Sequence, residues 1–209
     1  MIEVKEMTYG KKYITVLKFI SLLESFVLPI VKKYLGNQGL DELNKLWQGK
    51  LKPIPQNITD KDKFETAYSN WMWKWSTAYK FIQNKLGEEG TNEFKRADIE
   101  ALKSKNSGFK ILILNTIRVI SPQIAFSMIE KQMAYDFQVF SPLRVIELSK
   151  KRLIFDIPQC KLLDFPECEE TCLVGCQEIF PQWLEEQFYT RMDTNSKGKS
   201  CTVSLTPIM

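Results

Sequence analysis

The chain of 209 residues contains no histidine, and that absence removes most of the familiar hydrolytic chemistry. Ser-His-Asp and Cys-His catalysis need an imidazole to take a proton near neutral pH, and most catalytic zinc sites need imidazole ligands. Any reaction here has to run on thiols, carboxylates, amines or aromatic faces. Cysteine is also missing from the first 159 residues: all five lie between Cys160 and Cys201. Their spacing lacks the C-x2-C pairs of zinc ribbons, the C-x2-C-x2-C run of ferredoxins and the redox C-x-x-C pair. An excess of one charge is lacking too. The formal net charge is only +4, and lysines alternate with acids through residues 85–100, so no cationic stripe for nucleic acid emerges. The start, Met1-Ile2-Glu3-Val4-Lys5-Glu6, has acids where a signal peptide needs a basic region, and no uninterrupted apolar run reaches about 18 residues. The expectation is a cytoplasmic protein with no nucleic-acid partner and no membrane span. In a reducing compartment the cysteines then read as thiols or ligands rather than disulfides.

The sequence does contain enough apolar material, 44%, for a substantial core, and the length fits a single domain over residues 1–209. Its periodicity changes once. Residues 12–35 place Leu17, Ile20, Leu23, Phe26, Val27, Ile30 and Val31 at helical spacing, with a kink expected at Pro29. A short helix over 40–47 follows, and Pro53 and Pro55 impose an extended connection. Thr59 or Asp60 caps a helix to about Leu86, whose face carries Phe64, Tyr68, Trp71, Trp75, Tyr79 and Ile82. That face reads first as core, since large aromatics dominate core burial, and second as the wall of a ligand pocket. A helix over 91–105, an ambiguous apolar segment over 111–120 and a helix from Pro122 to Phe137 complete the helical part, the last with Ile124, Met128, Ile129, Met133 and Phe137 inward. No repeat is apparent.

From about residue 143 the pattern alternates. Arg152 to Cys160 reads as a strand, Glu167 to Ile179 as a helix, and Tyr189 to Thr206 as a terminal hairpin turning at Ser196-Lys197-Gly198-Lys199. The fold class is therefore α+β, with a helical part over 1–140 and a mixed, cysteine-bearing part over 141–209. On an α-helix Cys168, Cys172 and Cys176 share one face, with Cys160 ending one strand and Cys201 beginning another. All five sulfurs could meet in one pocket, or each could be a small buried hydrophobe. Lys161, Lys199 and Arg191 lie close in sequence to Cys160 and Cys201 and would favour a thiolate there. Asp164 and Asp193 offer proton acceptors.

The segments Ile157-Pro158-Gln159-Cys160, Asp164-Phe165-Pro166-Glu167-Cys168 with Cys172, Phe188-Tyr189-Thr190-Arg191-Met192-Asp193, and Lys197-Gly198-Lys199-Ser200-Cys201 resemble the L-2-amino-thiazoline-4-carboxylic acid hydrolase-like family. Asn70-Trp71 and Leu86-Gly87-Glu88-Glu89-Gly90 resemble its helical half. The terminal strand is also similar to that of vinyl-reductase-type small-molecule-binding domains. The first resemblance implies opening of a cyclic C=N bond by water with a cysteine nucleophile. Cys160 or Cys172 would attack, Asp164 or Asp193 would handle the proton, and Arg191 would hold a substrate carboxylate beside Tyr68, Trp71 and Trp75. The alternative is a non-enzymatic sensor in which Cys160, Cys168, Cys172, Cys176 and Cys201 hold zinc or another soft metal. The expected partner is a small organic ligand, and a homo-oligomer stays open.

Overall fold

In the computed structural model, residues 5–105, 109–165 and 171–208 are described, without the side chains of Phe109, Lys110, Leu112, Ile113, Leu162, Thr171 and Cys172. Helices come first: α1 over Tyr9–Gln48, α2 over Asp60–Lys105, α3 over Phe109–Ile120 and α4 over Pro122–Asp136. Two hairpins follow, β1 over Arg144–Ser149 with β2 over Arg152–Ile157, and β3 over Thr190–Lys197 with β4 over Ser200–Pro207. Between them lie a π-helix over Thr171–Ile179 and α5 over Phe180–Phe188. The architecture is the α+β arrangement that the change in periodicity predicts.

Contacts divide the chain into two compact units, Thr8–Ala101 and Leu102–Met209 with the first seven residues. The division falls near residue 101 rather than where the periodicity changes, because α3 and α4 pack with each other and α4 packs with the sheet. The side-chain amide of Gln138 ties in the N-terminal strap, accepting from Met7 N at 2.8 Å and donating to Lys5 O at 3.0 Å.

The helical unit contains a repeat that its sequence conceals. Thr8 and Thr59, 51 positions apart, start α1 and α2 in the same way: the Thr8 hydroxyl accepts from Lys11 N at 3.4 Å and the Thr59 hydroxyl from Asp62 N at 3.2 Å. Each helix breaks 51 positions apart as well, at Gly36 (φ 65°, ψ −160°) and Gly87 (φ 64°, ψ −146°). This is backbone that essentially only glycine adopts. The matching segments are Leu35-Gly36-Asn37-Gln38-Gly39 and Leu86-Gly87-Glu88-Glu89-Gly90, followed by Glu42 and Glu93. Contacts repeat reciprocally. Tyr34 and Lys33 bond to Glu93, the latter at 3.1 Å, while Lys85, the counterpart of Tyr34, pairs with Glu42, the counterpart of Glu93, at 2.8 Å. An exchange in which i meets j and j meets i is the signature of a two-fold self-complementary interface. The unit is thus two helix–glycine–helix modules packed on each other within one chain. The breaks lie at the two glycines, and Pro29 sits in unbroken helix.

The aromatic face of α2 is core. Phe64, Tyr68, Trp71, Trp75, Tyr79 and Ile82 are all buried, and their rings interlock: Tyr68 meets Trp71 edge-on at 5.6 Å, and Trp75 stacks on Tyr79 at 5.5 Å. From α1, Phe19 stacks on Trp71 at 5.3 Å. Asn70 holds the proline-bearing connection, accepting from Lys52 N at 3.0 Å and donating to Lys52 O at 2.8 Å. α1 is long and apolar enough by length and composition to cross a membrane. It also buries Val16, Leu23, Phe26, Val27, Ile30 and Val31, as the core helix of a folded unit must.

In the second unit the sheet order is β1-β2-β4-β3, antiparallel throughout. Register aligns three cross-strand rows on one face: Ile157–Cys201–Ser196, Phe155–Val203–Thr194 and Leu153–Leu205–Met192. On α4 the buried residues are Ala125, Phe126, Glu130, Met133 and Ala134. Met133 and Phe137 turn inward as the spacing predicts, but Ile124 and Met128 face solvent. The inward stripe is shifted because two alanines and Glu130 take positions that a count of large apolar residues assigns elsewhere.

Candidate functional site

Strand parity decides which residues of the second unit can share a site, because successive side chains point to opposite faces of a sheet. The inner face carries Met192, Thr194 and Ser196 from β3, Cys201 and Val203 from β4, and Ile157 from β2. These line a cavity closed from the other side by Phe137, Phe140, Leu163, Cys176, Gln177 and Phe180, with Cys160, just after β2, completing it. Its volume is about 40 Å³. That exceeds the roughly 10–15 Å³ a single water needs and suits one small apolar group. The roof is aromatic: Phe137 packs on Phe155 at 5.0 Å, and Phe140 meets Phe180 edge-on at 5.4 Å. Thr194, Ser196, Ser200 and Gln177 supply the polar part of the wall.

Three thiols border this space, Cys160, Cys176 and Cys201, and none is in a disulfide. Each is placed by a different element. Cys160 follows β2 by three residues, so the strand is shorter than the Arg152–Cys160 expected from sequence; its N–H donates to Lys199 O at 2.8 Å, and Leu163 N donates to its carbonyl at 3.1 Å. The next residue is anchored as well, Lys161 N donating to the Ser141 hydroxyl at 2.8 Å. Cys201 sits opposite Ile157 and Ser196 in the first row of the sheet, and Cys176 comes from the π-helix. Convergence of Cys160 and Cys201 follows the strand–helix–strand order expected from sequence. The third thiol described there is Cys176. Cys168 lies outside the described residues, as does the side chain of Cys172. The i, i+4 argument that put Cys172 and Cys176 on one face assumed α-helical winding, whereas this segment is wound by i→i+5 bonds, which changes the angular spacing.

The expected helpers are placed elsewhere. Arg191 and Asp193 alternate with Met192 and Thr194, and both are exposed on the outer face of β3. There they accompany Asp156, held by Thr202 at 2.8 Å and Arg144 at 3.1 Å, and Ser204, which accepts from Arg152 Nε at 3.1 Å. Neither can turn into the cavity without a one-residue slip that would expose the whole inner row. Asp164 is exposed and pairs with Lys199 at 3.1 Å. The lysine holds its carboxyl below the ordinary aspartate range, the wrong direction for proton exchange near neutrality. Tyr68, Trp71 and Trp75 belong to the core of the other unit and do not line this cavity. Among the residues that line it and that sequence reasoning did not single out are Phe140, Phe180, Thr194 and Ser196, while Phe137 was expected only as an inward residue of its helix. The period-2 pattern of β3, with its register, is the signal that could have found Thr194 and Ser196.

Among the described residues no group of three or more His, Cys, Asp or Glu side chains is arranged to hold a metal ion. The five-thiol metal site thus finds no support in the residues described. No family model, curated protein or solved structure matches this chain.

Proposed function

We propose that the second unit is a binding module for a small organic ligand whose apolar end enters the cavity beneath the sheet. The observation that carries this reading is the cavity itself, with three thiols and three phenylalanines around an enclosed apolar space and hydroxyls and an amide at its wall. That combination of apolar lining and a few placed polar groups is how small-molecule sites are built. In this reading the ionisable groups among the described lining residues are the thiols, so the site's chemistry is limited to what sulfur can do. Hydrolysis of a thiazoline-type ring, which the motif resemblance implies, would have to rest on Cys160 or Cys201 without Arg191, Asp164 or Asp193 beside it. Binding is therefore the reading put forward, in a reducing, cytoplasmic setting that preserves the thiols.

Thiol labelling tests it. N-ethylmaleimide and a carboxylate-bearing maleimide share one reactive ring, so a cavity that accepts a small apolar group should favour the first. We expect native protein to be modified faster by the ethyl reagent at Cys160, Cys176 or Cys201, by about tenfold for burial of the ethyl group. Unfolded protein should react with both within about twofold. Thr194→Phe, which fills the wall from half-buried β3, should erase the preference without changing the circular dichroism. Equal rates in native protein, or a preference that survives Thr194→Phe, would overturn the reading.

A further inference from the structure

The helical hairpin of α3 and α4 ends in an apolar tip that the fold leaves uncovered. Val119 and Ile120, the last two residues of α3, are each 81% exposed, and Ile124 and Met128 on α4 are 48% and 52% exposed. Single exposed apolar residues are ordinary on any protein. Four together around one turn are not. The tip is structurally fixed: the Ser121 hydroxyl caps α4 by accepting from Ile124 N at 3.4 Å, Pro122 follows as its first residue, and Ser121 N closes α3 on Ile117 O at 2.8 Å. At its base Arg118 turns back, its guanidinium stacked over the Tyr189 ring.

Along the chain, the charged residues that flank this tip are cations. From residue 109 to residue 129 the sequence contains two cations, Lys110 and Arg118, and no acid. Ile124, Met128 and Lys131 occupy one exposed stripe of α4, spaced four and three residues apart, so the stripe changes from apolar to cationic within two turns. α4 packs against β1, and the β1–β2 turn that follows carries exposed Lys150 and Lys151. Seven helical residues from Ile124 to Lys131 span about 10 Å. That matches the roughly 5–10 Å by which interfacial helices sink apolar residues beneath a headgroup layer.

From this we infer that the α3–α4 tip docks on an anionic phospholipid surface, with Val119, Ile120, Ile124 and Met128 among the acyl chains and Lys131, Lys150 and Lys151 at the phosphates. The exposed lysines beside the apolar residues complement the negative potential of such a surface. The inference stands on the α3–α4 hairpin and the β1–β2 turn and is independent of the cavity.

Sedimentation of the full chain with vesicles tests it. Vesicles containing about one-third phosphatidylglycerol should bring the protein down at low ionic strength, and phosphatidylcholine vesicles should do so at least about tenfold less well, given about 1 kcal/mol per basic residue near the surface. Val119→Asp combined with Ile120→Asp should abolish association with both. Lys131→Glu combined with Lys150→Glu should reduce the anionic arm to the level of the neutral one. All these positions are solvent-facing, so unchanged thermal melts should accompany each variant. Three results would overturn the proposal: no association with anionic vesicles, association that survives Val119→Asp/Ile120→Asp, or a parent dimer in light scattering that the same pair turns to monomer without any vesicle binding. The last would assign the tip to a second copy of the chain.

Discussion

Raising the pH from 4 to 8 is expected to destabilise the helical unit, and Asp98→Asn is expected to remove most of that loss. Asp98 is buried on the second half of α2, where the Trp75 indole N–H donates to its Oδ2 at 3.2 Å. Burial pushes its carboxyl up to about 7, against a weaker opposing pull from the indole. The cause is physical: Trp75 is itself packed between Tyr79, stacked at 5.5 Å, and Phe94, edge-on at 5.2 Å, so an ionised carboxylate there exchanges water for aromatic rings. The sign follows from proton counting. Below the unfolded pKa of 3.8 both states carry the proton and nothing is lost. Between 3.8 and about 7 the folded protein keeps the proton while the unfolded chain has released it, so stability falls with each pH unit and levels off above the folded pKa. The full difference is on the order of 4 kcal/mol. Glu42 and Glu93, the shifted acids of the same unit that their partners lower, act oppositely but only in the acid range. Glu130 and Asp136, raised by burial, and Asp156, Asp164 and Glu186, lowered by their partners, belong to the second unit and bear on its stability instead. Asparagine keeps an acceptor for Trp75 and cannot ionise. Denaturant melts should therefore show the variant more stable than the parent at pH 8 by several kcal/mol and nearly equal at pH 4. Parallel profiles would mean that Asp98 is not a buried acid.

Asp98 also shows where the sequence was legible and where it was not. The aromatic stripe of α2 was plain because six large residues recur at helical steps, but period did not decide between core and pocket wall; the interlocked rings do. The strands were plain for the same reason at period 2. What period does not reveal is which polar residue goes inward. Asp98 and Glu130 sit in buried positions, and in α4 the inward stripe passes through Glu130 rather than where the large apolar residues point. Hence Ile124 and Met128, expected inside, are outside.

The candidate site was legible in its sulfurs and not in its helpers. Cys201 starts β4 and Cys160 lies just past the end of β2, the strand that pairs with it, so order along the chain was enough. Arg191 and Asp193 are next to those elements in sequence, but proximity along a strand says nothing about face. One residue of register separates them from the cavity. The repeat was hidden for a related reason. Its two copies share Leu35/Leu86, Gly36/Gly87, Gly39/Gly90 and Glu42/Glu93, while core positions between them diverge freely, Phe26 against Thr77 and Trp47 against Asp98. Backbone geometry conserves the glycines, and packing tolerates the rest.

Those glycines give the second large effect. Replacing glycine by alanine inside a helix normally stabilises a protein by about 0.5–1 kcal/mol, because the unfolded chain loses freedom. At Gly39 and Gly90 the sign is expected to reverse. A Cβ built at Gly39 falls well inside 3.0 Å of the Leu35 Cβ, and one at Gly90 meets the Leu86 Cβ equally closely, with Ile82 Cγ2 at 3.0 Å. A Cβ is not the free end of a flexible chain, so relief requires moving the helix after each break, together with the Glu42 or Glu93 that it carries into the reciprocal ion pairs. The cost should be about 1–3 kcal/mol at each position. Because the two sites are counterparts in one repeated module, the losses should agree with each other. Gly49→Ala is the control: its φ of −61° and an open surrounding, with Leu46 O nearest at 3.4 Å, should leave stability unchanged or slightly raised. Urea unfolding of the three variants reads the answer directly. If Gly39→Ala and Gly90→Ala behave like Gly49→Ala, the two breaks are not the close-packed elbows of a repeated module. If only one of them destabilises, the two halves do not share one geometry.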